Sequence, residues 1–121
     1  MLEFKLPWPD PKLSPNARIH WASLAKHKKK YRSACWLTCL EQIRGKPIEI
    51  PEGPLHLELE FVPPNRRSYD RDNLVARMKA GIDGLADALK VDDKRFTTLS
   101  ARLDAGQTGG FVRVRISKET T

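Results

Sequence analysis

"PLHLELEFV", residues 54 to 62, alternates strictly: Leu55, Leu57, Leu59 and Phe61 fall on one side, His56, Glu58 and Glu60 on the other. A period of two with one apolar face is the signature of a strand lying on a core with its other face wet. Three further stretches read the same way. "LEFKL" (2–6) is a short strand, "RFTTLSARLDA" (95–105) a third, and "FVRVRIS" (111–117) a last one with Arg113 and Arg115 outward; "GQTGG" (106–110) is the turn before it. Between them the period changes. "SLAKHKKKYRSACWLTCLEQIR" (23–44) reads as a long helix with Ser23 as N-cap and Gly45 then Pro47 closing it. Its expected inward face carries Leu24, Tyr31, Cys35, Trp36, Leu40 and Ile43. Residues 71–90 read as a second helix, because Leu74, Met78, Ile82, Leu85 and Leu89 recur on one helical face. "PWPDPKLSPNAR" (7–18) has four prolines and reads as an extended loop. The order β-α-β-α-β-β predicts an α+β fold, a small mixed sheet carrying two helices. A chain of 121 residues is expected to form one domain, 1–121, with a core that needs no staples.

The same composition limits the function. Apolar residues are 40% and charged residues 31% of the chain, as in a water-soluble protein. No apolar run is long enough to span a bilayer, and "MLEFKLPWPD" lacks the pattern of a signal peptide, so no membrane partner and a cytoplasmic location are expected. Cys35 and Cys39 share a helical face, a spacing unsuited to a disulfide, and His20 and His27 complete no zinc pattern; buried reduced thiols are expected. Lys and Arg total 22 against 15 Asp and Glu, a net charge of +7 that favours a polyanionic partner. The densest positive run is "KHKKKYR" (26–32), with Lys26, Lys28, Lys29, Lys30 and Arg32 around Tyr31. A second basic segment, "PPNRRSY" (63–69), holds Arg66 and Arg67.

Against that background "SYDRDNL" (68–74) gathers Asp70 and Asp72 with Asn73 at the start of the second helix. Asp72, Lys79, Asp83 and Asp87 share the polar face of an ideal helix, where residues advance by about 100°. The simplest account is a capped, solvated helix with Lys79 and Asp83 as an i,i+4 pair. Three features point further. A cap needs one carboxylate, and this stretch has two. A second pair, Asp92 and Asp93, stands past the far end of the same helix, where the dipole disfavours negative charge. Basic residues, "NRR" (65–67) and "KRF" (94–96), flank both pairs. Carboxylates in a basic field are what a metal-dependent phosphodiesterase needs: hard oxygens for Mg²⁺ and cations for the phosphates.

In this order the motifs resemble the RusA family of Holliday junction resolvases, over most of the chain. "LPWPDPKLSPNAR" is similar to the family's "PWPP"-type opening and its following Asn; "RRSYDRDNL" to its basic loop leading into Asp-x-Asp-Asn-Leu; "KAGIDGL" to its Lys-x-x-x-Asp-x-Leu helix; and "VDD" to its closing acidic pair. The resemblance implies Asp70, Asp72 and Asp93 as catalytic carboxylates and ligands of Mg²⁺, with Mn²⁺ as a substitute. Asp92 stands beside them as a further ligand, and Lys79 is the essential lysine. It also implies a homodimer, branched DNA as partner and no small-molecule cofactor. One departure stands out. The family's lysine lies four residues after the second Asp, whereas Lys79 lies seven after Asp72. Both spacings return to one helix face, about 4.5 Å apart along the axis.

Length sets a constraint on this site. A straight helix would hold Asp72 and Asp92 roughly 30 Å apart. Either Gly81 and Gly84 bend it, or the second pair comes from another subunit. The expected function is a Mg²⁺-dependent endodeoxyribonuclease cutting four-way junctions in recombination and repair, with the basic residues at 26–32 and 66–67 holding the arms. Its rivals are a nuclease for forks or flaps, a non-catalytic DNA-binding protein and a basic scaffold.

Overall fold

The computed structural model describes residues 2–120. Strand β2 (Leu55–Val62) lies inside the sheet, with Leu55, Leu57, Leu59 and Phe61 all buried on one face as the alternation requires. β4 (Phe111–Lys118) pairs antiparallel along one side of β2, and β1 (Leu2–Pro7) pairs antiparallel with β4. On the other side β3 (Phe96–Leu103) pairs with β2 in parallel. The order is therefore β1-β4-β2-β3, a mixed four-stranded sheet. A parallel neighbour requires a crossover, and the helices between β2 and β3 supply it. The fold is α+β, with Phe4, Leu6, Val112, Val114 and Ile116 completing the buried face.

The opposite face is ionic. Glu60 is buried there beneath three arginines: Arg102 (2.8 Å), Arg113 and Arg115 (3.5 Å). The hydrogen bond from Arg113 is the main influence holding the Glu60 carboxyl below its ordinary pKa. Outward Arg113 and Arg115 thus close a cross-strand charge network over a carboxylate that alternation alone would leave in water.

Helix α1 runs from Trp21 to Ile43. Its N-cap is His20, not Ser23: His20 Nδ1 accepts the Ala22 N–H at 3.2 Å, which satisfies an orphan donor one residue before the expected start. At the other end Gly45 adopts φ +69°, the left-handed turn that glycine accepts without strain. The buried positions are Tyr31, Cys35 and Cys39, one face at a spacing of four. Trp36, expected inward, is 43% exposed. Both cysteines are unbridged, and burial pushes their thiols up, Cys35 to about 12 and Cys39 to about 11.

The expected single helix over 71–90 is two: α2 (Arg71–Arg77) and α3 (Lys79–Leu89). The break is at Met78, whose N–H bonds Val75 O three residues back at 3.0 Å, a local tightening of the helix. Met78 is fully buried, and the Tyr31 hydroxyl lies 3.3 Å from its sulfur.

Neither Gly81 nor Gly84 is the hinge. Both lie inside α3 where α1 crosses it. A Cβ on Gly84 would stand 2.2 Å from the Arg32 carbonyl oxygen, and one on Gly81 would stand 2.5 Å from the Tyr31 ring. So close an approach leaves room for sulfur and glycine between the helices and puts the indole of Trp36 at the rim.

Gly84→Ala is expected to destabilise the fold by about 2 kcal/mol, because backbone cannot yield as a flexible side chain can. Gly106→Ala, whose Cβ would meet only the Asp104 side chain at 3.4 Å, is expected to cost far less. Urea melts of the two variants check the difference.

Candidate nucleic-acid interface

The α1–α3 contact builds a cleft. One wall is α1, with Leu24, Lys28, Lys29 and Arg32; the other is the α2–α3 junction, with Ala76, Arg77, Lys79, Ala80 and Asp83; residues 13–17 roof one side. Its volume is about 700 Å³. Five cations line it, and Asp83 is its one anion. The roof is pinned from two directions. His27 Nδ1 lies 2.8 Å from Asp10 Oδ2, tying the proline-rich loop to α1. Asn73 Nδ2 donates to Ser14 Oγ at 2.8 Å, tying it to α2.

The cleft continues at both ends. Ser14 and Arg77 are shared with a hollow that contains Asp70, Asn73, Tyr69 and Arg67. Arg32 and Asp83 are shared with a second hollow that contains Asp87, Asp92 and Asp93. A basic channel therefore runs between the two acidic stretches of the sequence, along the axis that separates them.

Each predicted residue has a definite place. Asp70 is the N-cap of α2; its Oδ1 accepts the N–H of Asp72 at 2.9 Å and of Asn73 at 3.4 Å. Asp72 has no such duty. Its side chain is 85% exposed, 3.5 Å from Arg71, and it opens onto a different hollow with Val75 and Leu99. Lys79, the first residue of α3, lies 3.4 Å from Asp83 and 3.6 Å from Asp93, so two of the expected catalytic residues do meet. Asp92 caps the short turn Asp93–Arg95 by accepting the Lys94 N–H at 3.0 Å, and that bond holds its carboxyl below the usual range. Asp92 thus has a backbone partner of its own at this end. Lys90 ends α3 in a left-handed conformation (φ 56°), and Asp92 begins a new turn beside the last turn of α3, in one hollow with Ala86 and Asp87.

Asp70 stands at one end of the channel and Asp92 and Asp93 at the other, while Asp72 lies outside it. Among the described residues no three His, Cys, Asp or Glu side chains group closely enough to hold a metal ion. The donors suit Mg²⁺ in kind, being hard carboxylate oxygens, but their arrangement within one chain does not.

Of the basic residues, Lys28, Lys29 and Arg32 line the channel, and Arg67 stands at the Asp70 end. Arg32 is also anchored, its Nε donating to Asp87 at 3.0 Å. Lys26, Lys30 and Arg66 are exposed outside these hollows. Arg77 joins the channel to the Asp70 hollow, and its Nε donates to Asn73 Oδ1 at 3.0 Å. The charge run at 26–32 gives no hint of it. Its only signal is the i,i+4 spacing from Asn73.

Over 118 residues, 97% of this chain, the sequence is 38% identical to an uncharacterized protein of Xylella fastidiosa (strain Temecula1 / ATCC 700964), and the match covers 76% of that protein. The chain belongs to that protein's family. No family model matches the sequence. No helix among the described residues is long and apolar enough to cross a membrane.

The two aspartates of "DRD" are expected to separate in stability measurements. Asp70→Ala loses the cap of α2 and is expected to cost about 1 kcal/mol, while Asp70→Asn keeps it. Asp72→Ala is expected to stay within about 0.5 kcal/mol, as at an ordinary exposed site. Thermal melts of the three variants check this.

Proposed function

We propose that this chain is a RusA-like endodeoxyribonuclease that binds branched DNA, four-way junctions in particular, and cuts it by paired symmetric incisions as a Mg²⁺-dependent homodimer. The observation that carries the reading is the channel: cations along its length and the two acidic stretches at its ends. Lys28, Lys29, Arg32 and Arg77 are arranged to hold successive phosphates of a strand, a contact that releases counterions. Lys79, between Asp83 and Asp93, is set to orient a phosphate at the Asp93 end or to stabilise charge developing there. A symmetric dimer would present two such channels, which matches the symmetry of a four-way junction. This reading puts the protein in the cytoplasm with the cell's DNA.

A second reading has its own support. Asp70 and Asp92 already serve as caps, and the carboxylates stay apart within the chain. Both facts favour a non-catalytic DNA-binding protein using the same channel. A nuclease for forks or flaps would share the surface and the chemistry of the first.

One experiment separates them. Purified protein is incubated with a four-way junction, a fork and a linear duplex in Mg²⁺, Mn²⁺ or EDTA. The nuclease reading expects symmetric nicks in the junction with metal, and binding without cutting in EDTA. It expects Asp72→Asn to abolish nicking with binding kept, because that change removes charge and little else. Replacing Lys28 and Lys29 together with Ala should weaken binding and flatten its salt dependence by about two phosphate contacts. Binding with no nicking in either metal would establish the non-catalytic reading. Unchanged affinity in the double variant would remove the channel from both.

A further inference from the structure

Trp21 is the first residue of α1 and is 75% exposed, the most exposed large apolar side chain among the described residues. A lone surface tryptophan is ordinary; the position of this one is not. Leu24 and Lys28, one and two turns along, line the basic channel, and so does Arg32. At about 100° per residue Trp21, Lys28 and Arg32 stay within about 20° of one line along the helix. The indole therefore stands at the head of the cationic stripe. It is also restrained. The His20 ring, fixed by its cap bond to the Ala22 N–H, lies 5.4 Å from the Trp21 ring at an interplanar angle of 34°.

The chain's other tryptophans differ. Trp8 packs edge-on against Phe61 and Tyr69, and Trp36 is half covered at the α1–α3 rim.

A polyanion without bases gains nothing from an aromatic face. A strand with unpaired bases gains both phosphate contacts and stacking, which is how sequence-tolerant single-strand sites are built. We infer that Trp21 is a stacking platform for an unpaired base of a DNA strand whose phosphates run along Lys28, Lys29 and Arg32. The inference rests on the nucleic-acid reading of the channel and adds to it that the bound strand is unpaired at this point. A branched substrate offers such bases where its arms part.

The test uses the full chain in EDTA, so that cutting plays no part. The probes are an oligothymidylate, a blunt duplex and heparin, a polyanion with no bases. Oligothymidylate should quench tryptophan emission of the wild type, and Trp21→Phe should abolish the quench while Trp8 and Trp36 still emit. Trp21→Ala should weaken oligothymidylate binding by about fivefold or more, leave duplex and heparin binding within about twofold, and leave the melting temperature unchanged, as expected of an exposed side chain. A quench that persists in Trp21→Phe would overturn the inference. So would an equal loss on all three probes, since Trp21 would then act only by placing the lysines. If the wild type binds heparin but no DNA, the nucleic-acid reading of the channel fails first, and this inference with it.

Discussion

The approach of α1 to α3 at Gly84 is the constraint from which the rest of the molecule follows. Only a residue without a Cβ fits against the Arg32 carbonyl. At that distance the interface takes Cys35 and Cys39, the Tyr31 ring lies over Gly81, and its hydroxyl reaches the Met78 sulfur. Met78 is where the second helix breaks. The contact that brings the helices together thus also holds the residue at which one of them is interrupted.

The charge arrangement depends on the same contact. Arg32 stands on the α1 side of it and bonds Asp87 on the α3 side. One turn earlier Lys28 and Lys29 face Arg77 and Lys79 across the cleft. Opposite the core, the outer sheet face ties up its charges, since Glu60, Glu58 and Glu3 all pair with strand arginines. The helical side keeps Lys28 and Lys29 free of carboxylate partners among the ion pairs of the described residues, and it is the side that residues 13–17 roof. A phosphate backbone would find its cations there.

Much of this was legible in the sequence, and the misses have physical causes. Strict alternation identified β2, because a strand buried on one face leaves a period of two. The apolar stripe of the second helix was equally plain, yet Met78 belongs to that stripe, so periodicity had no means of marking a break there. The glycines drew attention as bends because propensity penalises them, whereas their role is steric and depends on a helix distant in sequence. Trp36 looked like core by size; an interface this tight selects the smaller Cys39. Asp92 looked unpartnered past the helix end, yet it caps a short turn of its own, which periodicity does not mark. For the site, the basic run and both acidic pairs were visible, but not the channel joining them, because a channel needs the third dimension.

The central claim is that the cleft between α1 and the α2–α3 junction is the nucleic-acid surface. Backbone amide shifts of the labelled protein, titrated with a four-way junction in EDTA, test it residue by residue. The account predicts that the largest changes fall at 13–17, 21–32 and 76–83, with the outer faces of β3 and β4 little affected. Changes concentrated on Arg102, Arg113 and Arg115 of the outer sheet, with the cleft residues unmoved, would contradict it.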